Sequence, residues 1–163
     1  MFGLGKTKMD SQEFCNDQWI KVTSPERKSI WRAFVEQSND AALENADFEK
    51  YCVVMLAVYL QFLKSTVILT QGALSDTASD FYICIFKKEQ ELDSSFEEYK
   101  TKFNQTWGTA TEQLSGDKMM DMVNTFEVCM GINLQQATKE QLKMEFFVLY
   151  TSMDEILRKI KLT

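Results

Sequence analysis

The sequence predicts an all-α protein: a compact bundle of six or seven helices around one central hydrophobic helix, about residues 48–71. Three observations carry this expectation. The first is the run YCVVMLAVYLQFLKSTVILTQ at 51–71, in which nothing from Tyr51 to Leu60 is charged or strongly polar. Drawn as a helix, that run is apolar on every side, so it must be buried all round. Gln61, Lys64, Ser65 and Thr66 interrupt it before it reaches the roughly 20 apolar residues of a membrane span, so burial in protein is expected and membrane insertion is not. The second observation is the recurrence of apolar residues at three- and four-residue spacing through most of the chain. The third is the scarcity of turn formers: one proline and six glycines in 163 residues. Such a composition favours long helices over strands and turns.

The elements follow in order. Residues 1–9 hold Lys6 and Lys8 among glycines and are expected as a flexible tail, with residues 10–163 as a single helical domain. A first helix is expected from Asp10 to Val22, capped by Asp10 or Ser11, with Phe14, Cys15, Gln18 and Trp19 on its buried stripe. Thr23 and Glu26 have capping-box spacing around Pro25, which is tolerated in a first turn, and they predict the start of a second helix. Ile30, Trp31, Phe34 and Val35 form its expected inner face. Residues 38–45 read as a loop or short helix. Asp47 is the expected cap of the central helix, and Gly72 its end.

Phe81–Phe86, FYICIF, is rich in strand formers. Its flanks carry helical spacing, with Ala78, Phe81, Tyr82 and Ile85 on one stripe, so it is assigned to a helix. Ser95 and Glu98 have capping-box spacing ahead of the aromatic stripe Phe96, Tyr99, Phe103, Trp107. A loop is expected at 108–116. A helix at 115–130 follows, with Met119, Met122, Val123, Phe126 and Met130 on its apolar face and Gly131 at its end. The last helix is expected from Thr138 to Ile160.

The chain has 24 acidic and 18 basic residues, a net charge of −6. That balance argues against nucleic acid as a partner, and no run of Lys and Arg offers a phosphate-binding stripe. The four cysteines, Cys15, Cys52, Cys84 and Cys129, are widely spaced beside apolar residues. They have no zinc-site spacing and read as reduced, buried side chains. With no apolar signal core in residues 1–10, a cytoplasmic location is expected.

Histidine is absent. Its absence removes Ser-His-Asp and Cys-His arrangements and the ExxH motifs of di-iron bundles. The carboxylates at Glu89, Glu91, Asp93, Glu97 and Glu98 lie among lysines and read as a solvated face. Glu127 and Glu145 interrupt apolar neighbourhoods and are expected to point outward, because a buried carboxylate is costly unless paired. No catalytic, metal-binding or cofactor-binding residue is assigned.

What remains is a non-catalytic module that binds another protein, with an acidic surface that favours a basic partner. An immunity protein, an adaptor and a chaperone all fit this composition. Trp107, Met119, Met120 and Met122 are the candidate contacts, since methionine and aromatic side chains adapt to a partner's groove. Self-association is a further expectation consistent with the long apolar helix. The alternative reading is a histidine-independent enzyme or a helical protein that binds a small ligand.

Overall fold

The computed structural model describes residues 6–44, 46–71, 83–84, 87, 90, 94–107 and 116–163. Seven helices are bounded within them: α1 Ser11–Thr23, α2 Pro25–Ser38, α3 Ala41–Glu44, α4 Phe48–Gln71, α5 Ser94–Trp107, α6 Gly116–Met130 and α7 Gln136–Lys159. Two short strands, β1 Thr7–Met9 and β2 Ile160–Leu162, pair in parallel. Of the FYICIF stretch, Ile83 and Cys84 are described and both are helical; the rest of it, Gly72 and the 108–115 segment lie outside the described residues.

The expected centre is the observed one. α4 packs against α1, α5, α6 and α7, and every residue from Leu56 to Leu63 is buried. Its polar residues are accommodated locally. The hydroxyls of Ser65 and Thr66 donate to the carbonyls of Gln61 and Phe62, both at 2.9 Å, so neither enters the core unsatisfied. Gln61 is buried beside them, and its Nε2 has no hydrogen-bond partner among the described residues. Phe48–Ile68 is long and apolar enough to cross a membrane, but 72% of its most apolar window is buried inside the bundle.

Aromatic rings link the helices through this core. Trp31 of α2 stacks on Tyr51 of α4 at 3.8 Å between centroids. Tyr51 meets Phe126 of α6 edge-on at 6.3 Å, and Phe126 meets Phe146 of α7 at 6.0 Å. Phe146 and Tyr150 of α7 both stand edge-on to Phe62 of α4, at 5.9 and 5.7 Å. Edge-on geometry sets the positive ring edge against the negative face and adds to the burial of each ring.

Helix ends follow local chemistry. Asp10 accepts from the amides of Gln12 and Glu13, and Asp47 from those of Glu49 and Lys50. α6 stops at Gly131, whose φ of 71° lies in the left-handed region where a side chain would be strained. The α1–α2 junction departs from expectation. Thr23 remains the last residue of α1 and Ser24 takes the cap position ahead of Pro25. The Ser24 hydroxyl hydrogen-bonds the Glu26 carboxylate; the Thr23 side chain lies outside the described residues. α7 ends at Lys159, one residue short of the expected limit, because Ile160 is extended and joins β2.

Within the stretch expected as a tail, Thr7–Met9 is paired with the far end of the chain. Thr7 faces Ile160, Lys8 faces Lys161 and Met9 faces Leu162. The ladder continues through Thr163 N–H to the Met9 carbonyl at 3.0 Å and Ser11 N–H to the Thr163 carbonyl at 3.1 Å. Alternation explains the pairing: Ile160 and Leu162 point into the core while Lys161 points out.

Two carboxylates have structural duties inside the bundle. Glu127 was expected to face outward, yet it is buried. One oxygen pairs with Lys139 Nζ at 2.7 Å and the other accepts the Leu134 N–H at 2.6 Å; a paired and hydrogen-bonded carboxylate tolerates burial. Asp40 accepts from Ala42 N–H at 3.1 Å and from Gln135 N–H at 2.8 Å, so one side chain ties the start of α3 to the start of α7. Burial works to raise its pKa, but hydrogen bonds from Thr138, Gln135 and Ala42 outweigh it and hold the carboxyl below its ordinary value of 3.8. Its contribution is therefore complete at neutral pH and is lost as pH falls from that ordinary value through the lower folded one. Asp40→Asn is expected to cost about 2 kcal/mol at pH 7 through weakened capping. Urea melts at pH 7 and pH 3 check this, with a smaller cost expected at pH 3.

Candidate functional site

Residues of α2 and α7, with Tyr51 and Met55 of α4, line a groove. Residues 27, 30, 31, 34 and 37 recur at three- and four-residue spacing on one side of α2. Residues 141, 142, 145, 146, 149 and 152 do the same on α7. The groove has a volume of about 460 Å³. Trp31, Phe34, Met55, Leu142, Phe146 and Leu149 make its apolar floor, while Arg27, Gln37, Gln141, Glu145 and Ser152 add polar groups.

The flanks of the groove are apolar as well. Ile30 on α2 is 52% exposed and Val148 on α7 is 55% exposed. Ile30 was expected on the inner face of α2; Trp31 and Phe34 occupy that face, which leaves Ile30 at its outer edge. Met144 and Phe147 are also exposed and join Val148 at helical spacing, so the apolar surface continues outward from α7. A contiguous exposed patch of this kind marks an interaction surface more often than an isolated residue does.

A second cavity, of about 270 Å³, lies at the start of α2. Phe48, Tyr51, Met55 and Tyr59 of α4 form much of its wall, with Arg27 and Lys28 on the other side. Arg27, Tyr51 and Met55 line both spaces. Burial pushes the Tyr51 hydroxyl well above its ordinary range, with Arg27 opposing and Glu145 adding to the rise. Burial likewise raises Tyr59 to about 12, and its hydroxyl donates to Gln18 Oε1 at 2.6 Å. Cys52 lines the same cavity, and burial raises its thiol despite nearby Lys28. A thiol held protonated is a poor nucleophile. All four cysteines are free. Among the described residues, no three Cys, Asp or Glu side chains are grouped to hold a metal ion.

The residues singled out from the sequence lie elsewhere. Met119 and Met122 are 1% and 0% exposed, on the core-facing stripe of α6, and offer no surface. Met120 is partly buried against the same core. Trp107 is the last residue of α5, and its side chain lies outside the described residues. Sequence reasoning passed over the exposed set on α7. Its signal was present: Met144, Phe147 and Val148 are large apolar residues that fall off the stripe defined by Leu142, Phe146, Leu149 and Met153. Comparison of the chain with family models, curated proteins and solved structures finds no match to any of them.

Proposed function

We propose that this protein is a non-catalytic binding module that seats an amphipathic helix of a protein partner in the groove between α2 and α7. The observation that carries the reading is the apolar floor of that groove continued by the exposed side chains of Ile30, Met144, Phe147 and Val148. Gln141 to Ser152 spans about 16 Å along α7, the length of three helical turns. A small molecule in the groove would leave the outer apolar side chains wet; a helix lying along it would cover them. Arg27 and Glu145 offer opposite charges to the partner helix and set its direction. Away from the groove, the net charge of −6 favours a partner that is otherwise basic. Four free thiols fit work in a reducing compartment such as the cytoplasm.

Site-specific photocrosslinking tests this. A benzoylphenylalanine at position 148 is expected to capture one dominant protein in native extract, with the attachment mapped to a helical segment. Ile30→Asp should abolish the capture while leaving the thermal melt intact. The same probe at Val128, exposed on α6 away from the groove, should capture nothing comparable. Equal capture at both positions, a crosslink to a second copy of this chain, or no crosslink overturns the proposal.

A further inference from the structure

The smaller cavity combines an apolar body with positive charge, in a chain whose net charge is negative. Arg27 and Lys28 both line it. Among the described residues, neither side chain has a carboxylate within ion-pair distance, although five other ion pairs fall within 4.0 Å. Lys28 is exposed, and its Nζ lies 4.9 Å from the centre of the Phe48 ring in the cavity wall. The acidic residues nearby do not complete the site. Glu49 and Glu145 act at a distance on Cys52 and Tyr51, and neither lines this cavity. The Tyr59 hydroxyl already donates to Gln18, so that end of the wall meets a ligand mainly through its ring. An apolar hollow with two unpaired cations at one side matches a molecule with an apolar body and one negative end.

We propose that this cavity binds a small anionic amphiphile, with its charged group against Arg27 and Lys28 and its apolar body over Met55 between Tyr51 and Tyr59. The volume sets the size. A dry cavity of about 150 Å³ accepts benzene, so 270 Å³ takes a bicyclic ring or a medium-length acyl chain. The guanidinium fork of Arg27 suits a carboxylate or a phosphate, and a neutral head would leave both cations uncompensated. The site adjoins the larger groove and shares Arg27, Tyr51 and Met55 with it, while Lys28, Phe48, Cys52 and Tyr59 line this cavity and not the groove.

Calorimetric titration of the purified protein with decanoate, below its micellar range, tests the assignment, with 1-decanol as the neutral counterpart. Decanoate is expected to bind saturably, one per chain, and decanol at least about tenfold more weakly, the difference expected from losing one charge-assisted contact. Arg27→Gln, at a partly exposed position, should weaken decanoate by a similar factor without moving the thermal melt. Cys52→Phe fills this cavity alone; it should abolish decanoate binding and preserve photocrosslinking from position 148. Loss of that crosslink in an otherwise stable Cys52→Phe protein would show that the two adjoining spaces act as one site, against the proposal. Absence of saturable decanoate binding, equal affinity for decanol, or indifference to Arg27→Gln overturns the proposal, whatever becomes of the crosslinked partner.

Discussion

Phe62→Ala is expected to lower the folding stability by about 3–5 kcal/mol, the range for emptying a fully buried phenylalanine site. Phe62 is 0% exposed, in the middle of α4, and two α7 rings stand edge-on to it. Removing the ring deletes its transfer energy and both aromatic contacts, and α4 cannot move inward to refill the space because it is packed by α1, α5, α6 and α7. Denaturant melts measure the loss directly. A change below about 1 kcal/mol would place Phe62 outside the packed centre. Most of the loss should appear in the unfolding midpoint with little change in slope, because the surface exposed on unfolding is nearly the same.

Lys139→Met is expected to cost about 2–4 kcal/mol. The mutation leaves the Glu127 carboxylate buried with the Leu134 N–H as its remaining partner. The cost comes mainly from stranding a charge, rather than from losing a large favourable ion-pair energy. Glu127→Gln combined with Lys139→Met should therefore recover about half of the loss, since the amide still accepts from Leu134 and no charge remains. A double mutant as unstable as the sum of its parts would show that the two groups are not coupled.

Much of the architecture was legible in the chain because it rests on periodicity and caps, both local properties. The start of α4, the caps at Asp10 and Asp47 and the stop at Gly131 follow from a few neighbouring residues. The departures involve partners far away in sequence. Glu127 is buried because Lys139 lies across the α6–α7 turn, and nothing in α6 itself announces that pair. Thr7–Met9 is ordered because Ile160–Leu162 comes alongside, across nearly the whole chain.

The site was less legible for a related reason. Methionine on a strong helical stripe is ambiguous between core and contact surface, and in α6 the stripe is the core. The exposed apolar residues of α7 are informative only once the buried stripe beside them is assigned. The cavity at the start of α2 requires Arg27 and Lys28 to meet Tyr51, Met55 and Tyr59 on another helix. No single segment contains that arrangement.

Hydrogen exchange of the purified protein, with and without the partner segment identified by crosslinking, tests the binding account most directly. Slower exchange should fall on amides of residues 27–37 in α2 and 141–152 in α7, the two walls of the groove, while α5 and α6 keep their unbound rates. Protection centred instead on residues 101–107 and 116–124, around Trp107 and Met120, with α2 and α7 unchanged, would contradict the groove as the binding surface.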